Sequence, residues 1–171
     1  MNSENIMVPL EEVESKVNKA LNKLFKNDHY LLFADANERS ISHKFAEYLQ
    51  QEFEEWNVDC EYNRDHHDIK RISDWKNRCL KEKEYEDADA KTVYPDIIIH
   101  HRNTRNNLLV IEIKKSTNTD NGKCDIKKIR NFIKELNYKY GIFINFKVGE
   151  ELGIKSLKWF HHRNLREVNH E

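Results

Sequence analysis

Two segments decide the reading of this chain: Pro95-Asp96-Ile97-Ile98-Ile99-His100-His101-Arg102 and, a short polar gap later, Asn107-Leu108-Leu109-Val110-Ile111-Glu112-Ile113-Lys114-Lys115-Ser116. Both are apolar, rich in isoleucine and of strand length, and the polar stretch from Arg102 to Asn107 suits a hairpin turn. Side chains alternate faces along a strand, so Glu112 and Lys114 are expected on one face, beside Leu108 and Val110. If the strands pair antiparallel about a turn centred at residue 104, Asp96 faces Glu112 directly. Two adjacent carboxylates repel unless they share a proton or a cation. An acid inside so apolar a run is costly unless a partner compensates it. A divalent cation that prefers oxygen ligands would answer both demands. The plainer alternative makes Asp96 a turn cap after Pro95, and Glu112 with Lys114 one exposed ion pair of little value.

Working outward, residues 10–26 carry Val13, Val17, Leu21, Leu24 and Phe25 at helical spacing. Residues 29–35 are apolar and short, and fit a helix or a strand. Asp35 or Asn37 is placed to cap a second helix over 38–53, with Ile41, Phe45, Leu49 and Phe53 along one face. Val58, Cys60 and Tyr62 alternate with polar residues and predict a strand at 57–63. Residues 65–92 read as a charged, exposed insertion. After the two decisive strands, Asn121-Gly122 marks a turn. A third helix is expected at about 124–137, on Ile126, Ile129, Phe132, Ile133 and Leu136. Residues 140–146 read as a strand, and the tail after it carries Leu157, Trp159 and Phe160 and then turns polar. Strands this apolar imply a sheet covered on both faces, hence a mixed α/β architecture in one domain spanning 1–171, with 1–28 as an N-terminal helical arm.

The 171 residues suit one domain of ordinary size. The four glycines, Gly122, Gly141, Gly149 and Gly153, form no phosphate-cradling loop and no nucleophile elbow. The formal net charge of −1 does not announce a nucleic-acid binder, although local patches matter more than the sum. Three cysteines without a Cys-x-x-Cys pair speak against a disulfide framework and against a cysteine-only zinc site. The N-terminal stretch lacks the apolar run of a signal peptide, and no stretch of about 18 apolar residues could span a membrane. The sequence therefore leads us to expect a soluble, cytoplasmic protein without a membrane partner.

Glu38 adds a third acid. At about 100° per residue it shares the helical face of Phe45 and Leu49, whereas Glu47 points away. It serves either the helix dipole or the same acidic site as Asp96 and Glu112.

Pro95-Asp96, followed after fifteen residues by Glu112-Ile113-Lys114, resembles the signature of the PD-(D/E)xK nuclease superfamily. The element order over roughly residues 38–146 is similar to that family's restriction-endonuclease-like αβββαβ core. The segments NERSI, EYNR, PDIIIHHR and NLLVIEIKK are similar to those of small bacterial members. The resemblance implies a mixed central sheet flanked by helices and a Mg2+ cofactor, with Mn2+ as a substitute. It implies Asp96, Glu112 and the main-chain carbonyl of Ile113 as metal ligands, Lys114 as partner of the attacking water, and Glu38 as a further member of the catalytic set. Magnesium takes hard oxygen ligands, which is why carboxylates suit it better than Cys or His. The implied activity is hydrolysis of phosphodiester bonds, of DNA first and of RNA as the alternative.

Phosphate contacts would come from basic residues. Lys123, Lys127, Lys128, Arg130 and Lys134 make the third helix basic, and Lys155, Lys158, His161, His162, Arg163 and Arg166 the tail. Lys127 and Lys128 are favoured, with Lys115 beside the site, while Arg130 and Lys134 fit a solvated face. Asn63 and Arg64 are further candidates. The pairs His66-His67, His100-His101 and His161-His162 do not offer the three or four convergent ligands of a zinc site, and hydrogen-bonded histidines are expected. Of the first pair of strand histidines, His100 shares the parity of Asp96. Rival readings are an inactive nucleic-acid-binding or protein-interaction module on the same fold, and a pH- or zinc-responsive regulator. The 65–92 insertion is a candidate specificity element, lid or homodimer contact.

Overall fold

The computed structural model describes residues 8–62, 64–65, 68–69 and 94–162. Asn63, His66, His67, most of the 65–92 insertion, Arg163 and Arg166 lie outside the described residues. In chain order the elements are α1 (Leu10–Asn27), α2 (His29–Phe33), α3 (Glu38–Glu52), β1 (Asn57–Cys60), β2 (Arg64–Asp65), β3 (Asp68–Ile69), β4 (Ile97–His100), β5 (Asn107–Lys115), α4 (Lys123–Glu135), β6 (Tyr140–Lys147) and β7 (Gly153–His161). Five strands form one mixed sheet in the order β1-β4-β5-β6-β7, and β2 pairs with β3 separately. Only the β5–β6 pair is parallel, and α4 makes that crossover. The result is an α/β architecture with helices on both faces of an open sheet.

The two faces carry two cores. On one, Val13, Val17, Leu21 and Leu24 of α1 and Ile41, Phe45 and Leu49 of α3 cluster with Ile97, Ile99, Ile111, Ile113, Ile142 and Ile144. On the other, Ile129, Phe132 and Ile133 of α4 cluster with Ile98, Val110 and Phe143. Each fully buried side chain of this kind contributes roughly 1.5–3 kcal/mol. The helical spacing of these residues explains why α1, α3 and α4 form where the apolar periodicity places them, and α1 is part of the larger core. Asn37 caps α3, its side chain accepting from the backbone N–H of Ser40 at 2.8 Å. The ambiguous stretch after α1 is the short helix α2.

Two findings depart from the expected layout. The tail contains a nine-residue edge strand, β7, antiparallel to β6. Its Leu157 and Trp159 pack toward one core and its Phe160 toward the other. The β4–β5 ladder also carries a bulge: Ile97–Ile111, Ile98–Val110 and Ile99–Leu109 are partners, but His100 pairs with Asn107. Leu108 is the extra residue, and it joins the α1/α3 core instead of sharing the face of Val110.

Gly141 lets α4 lie close on the sheet. A Cβ there would stand 2.3 Å from Cγ2 of Ile129 and 3.3 Å from Cδ1 of Ile133. Gly122, just before α4, has φ +73°, and a Cβ on it would meet the Phe143 ring at 2.4 Å. The two glycines thus fix where α4 begins and how near it comes to β6. Cys60 is a free thiol. Among the described residues, no helix is long and apolar enough to cross a membrane.

Candidate active site at the end of strand β5

Extending the Ile97–Ile111 register by one step sets Asp96 opposite Glu112, as the hairpin argument requires. The backbone N–H of Ile113 donates to Oδ2 of Asp96 at 2.7 Å, fixing that carboxylate against β5. Glu112 is only 1% exposed, although it bears an acid in the middle of an isoleucine-rich strand. Its Oε2 lies 2.6 Å from Nζ of Lys128, and its Oε1 is buried with no hydrogen-bond partner. Burial pushes the Glu112 carboxyl well above the ordinary range, opposed by Lys128 and reinforced by Asp96. Burial likewise raises Asp96, with Lys128 and the Ile113 N–H opposing, and Asp125 and Glu38 adding to the rise.

Lys114 projects from the same face of β5. Its ammonium meets Oδ2 of Asp125 at 2.9 Å and Oδ2 of Asp120 at 3.8 Å. Burial opposes its charge, but the pairing with Asp125, helped by Glu38, outweighs it and holds Lys114 above its usual value. Lys114 is therefore a fixed cation and not a proton acceptor at neutral pH. Beside it in the β5–β6 register stands Asn145, whose side-chain oxygen is buried without a hydrogen-bond partner.

Glu38 reaches this end of the sheet from the first turn of α3. Its Oε1 accepts from the backbone N–H of Lys115 at 3.2 Å and from Nδ2 of Asn118 at 3.1 Å. Its charge acts on both Asp96 and Lys114. Lys115 turns the other way and pairs with Asp35 at 2.7 Å. Lys128 also donates to the carbonyl of Tyr94 at 3.1 Å, and only 13% of its side chain is exposed. Of the basic candidates, Lys128 thus stands inside the site against Glu112. Lys127, one position before it on α4, is partly buried.

A cleft of about 200 Å3, lined by Arg39, Ser42, His43, Cys60, Glu61 and Asp96, opens onto Asp96 from between α3 and β1. Desolvation and the charges of Asp59, Asp96 and Glu61 push the Cys60 thiol up to about 11, so it is no thiolate nucleophile at neutral pH. His100 belongs elsewhere. It is buried, contacts Oδ2 of Asp59 at 2.8 Å and lies under Tyr62. His101 points to the opposite side and stacks on Trp56.

Sequence reasoning named Glu38, Asp96, Glu112 and Lys114, and the structure brings all four to one end of β5. It did not single out Asp125, which orients Lys114, or Asn145. A signal for Asp125 did exist: it precedes Ile129 by one helical turn, so it continues the stripe that faces the sheet.

Among the described residues, no group of three His, Cys, Asp or Glu side chains is arranged to hold a metal ion. The oxygens that could share one are those of Asp96 and Glu112, with a main-chain carbonyl. This all-oxygen set suits magnesium, which is often held by one or two carboxylates and keeps several waters. The buried, unpartnered Oε1 of Glu112 is the specific feature that fits a cation, because an acceptor withdrawn from water needs a partner. Chemically, the arrangement offers acidic oxygens for a hard cation next to a fixed ammonium. Comparisons with family models, curated proteins and solved structures found no match.

Proposed function

We propose that this chain is a metal-dependent nuclease with a PD-(D/E)xK-type site on a restriction-endonuclease-like core, hydrolysing phosphodiester bonds of DNA. The observation that carries the reading is Glu112: an acid 1% exposed, opposite Asp96 and on the same face as Lys114, with one oxygen lacking any partner. A structural ion pair would not call for a second, partly buried carboxylate at the same point. Asp96, Glu112 and the carbonyl of Ile113 would hold the ion. When bound, a magnesium ion supplies Lewis acidity that lowers the pKa of water and offsets charge on the phosphoryl group.

The chain's own groups do the rest. Lys114, kept cationic by Asp125, stabilises negative charge as it grows on the non-bridging oxygens. Glu38 braces the backbone after Lys114 through the Lys115 N–H, so the ammonium and the carboxylates keep their spacing. The reaction consumes one water. Its oxygen bonds to phosphorus, the bond from phosphorus to the leaving sugar oxygen breaks, and that oxygen gains a proton.

One observation favours the rival reading of an inactive binding module: Lys128 already compensates Glu112 without any ion. A cleavage panel separates the two. Linear, circular, single-stranded and branched DNA, with RNA alongside, are incubated in Mg2+, Mn2+ and EDTA. Cleavage of at least one DNA form that requires the metal supports the nuclease. Metal-independent binding with no cleavage of any substrate supports the module.

A further inference from the structure

We infer that Lys128 is a built-in counter-cation that occupies Glu112 when no divalent ion is present and gives it up when one binds. This rests on the metal-site reading above and adds a gate to it. The geometry carries it. Nζ of Lys128 lies 2.6 Å from Oε2 of Glu112 and is tethered to the Tyr94 carbonyl at 3.1 Å, so it already holds a carboxylate oxygen that the ion would need. Yet it does not saturate the site, because Oε1 of Glu112 keeps no partner.

Charge points the same way. Glu38, Asp96, Glu112 and Asp125 act on Lys114 and Lys128 at this end of the sheet, and Asp120 adds a half-exposed acid against Lys114. With Asp120 counted, five carboxylates stand against two ammonium groups, a formal excess of negative charge that a divalent cation would reduce. Lysine suits a displaceable role: it is a point charge on a flexible four-carbon stem, and 13% of this side chain already meets solvent. Once released, the ammonium is free to meet a phosphate at the rim of the site. Lysine and metal then compete for one carboxylate, so each weakens the hold of the other by the same factor.

The test is Mn2+ titration by calorimetry into the wild-type full chain and Lys128→Gln, with the folding of both checked by circular dichroism. Removing the competitor should tighten Mn2+ binding about tenfold, within the usual range of coupling between two ligands. Wild-type protein supplies a second readout that does not depend on the variant folding. Lys128 should be acetylated by limiting acetic anhydride several-fold faster in Mn2+ than in EDTA, as read by peptide mass spectrometry. Equal or weaker Mn2+ binding by the variant, or unchanged Lys128 reactivity in wild type, overturns the gate while leaving the metal site standing. If neither protein binds Mn2+, the metal site itself falls, and the gate with it.

Discussion

The ammonium of Lys128 stands 2.6 Å from a carboxylate oxygen of Glu112, which the sheet has withdrawn almost wholly from water. Neither charge would be tolerable there alone. The pair ties α4 to β5, and its position depends on how closely α4 can approach the sheet. Glycine at 141 and 122 sets that distance. Electrostatics of the site and packing of the helix are therefore one problem.

Replacing Lys128 by Met should leave Glu112 buried and uncompensated, at a cost of about 3 kcal/mol at neutral pH. The double variant Lys128→Met/Glu112→Gln removes both charges and should be more stable than Lys128→Met alone. Urea unfolding of the four proteins of the cycle measures the coupling. Strictly additive losses would mean that the two groups do not support each other.

Asp96→Asn removes one negative charge at nearly constant volume, and the asparagine oxygen can still accept from the Ile113 N–H. Metal-free, this variant should be as stable as wild type or more so, because burial, Asp125 and Glu38 all disfavour the Asp96 charge. Wild type should gain thermal stability in Mn2+, roughly 2.7 kcal/mol at about 100 times the dissociation constant, and the variant should gain little. If Asp96 is only a turn cap, both proteins will respond to Mn2+ alike.

Asp59 gives the pH dependence. Burial alone would raise its carboxyl, but hydrogen bonds from His100 and Arg102 outweigh burial and hold it far below the ordinary carboxylate range. A carboxylate depressed in the fold contributes stability above its unfolded value, near about 3.9, and loses that contribution as pH falls further. Stability should therefore drop below about pH 4, and Asp59→Asn should flatten that acid limb while lowering stability at pH 7. Urea midpoints from pH 2.5 to 7 show whether the limb changes.

Gly141→Ala places a methyl group against Cγ2 of Ile129, a short branched side chain with little room to give. Overpacking of this kind costs roughly 1–3 kcal/mol. Ile129→Ala empties the contested space, so Gly141→Ala should cost less in that background. Thermal melts of the two single variants and the double variant measure the difference.

The sequence and the structure meet closely where a single strand register decides the matter. Asp96 and Glu112 could be paired on paper because a turn centred at residue 104 fixes every pair back to the start of β4. The bulge at Leu108 was not legible: Leu108 and Leu109 are equally apolar, and nothing in their chemistry says which is the extra residue. The strand β7 was hidden for a different reason. It lies at a sheet edge, and its exposed Lys155 and Lys158 make it read as a basic tail. Lys128 illustrates a third limit. The family resemblance puts its helix beside the site, but a lysine there reads as a phosphate contact until the burial of Glu112 shows what it has to compensate.

The most direct test of the central claim is the rate of Mg2+-dependent cleavage by wild type and Lys114→Ala on whichever DNA form the panel identifies, with binding measured in Ca2+ for both. Lys114 is a fixed cation whose proposed part is in the chemical step, so its loss should lower the cleavage rate by about 10^2-fold or more. DNA affinity and the folded state should stay nearly unchanged. Undiminished cleavage by Lys114→Ala in a nuclease-free preparation, or cleavage that persists in EDTA, would contradict the site as assigned.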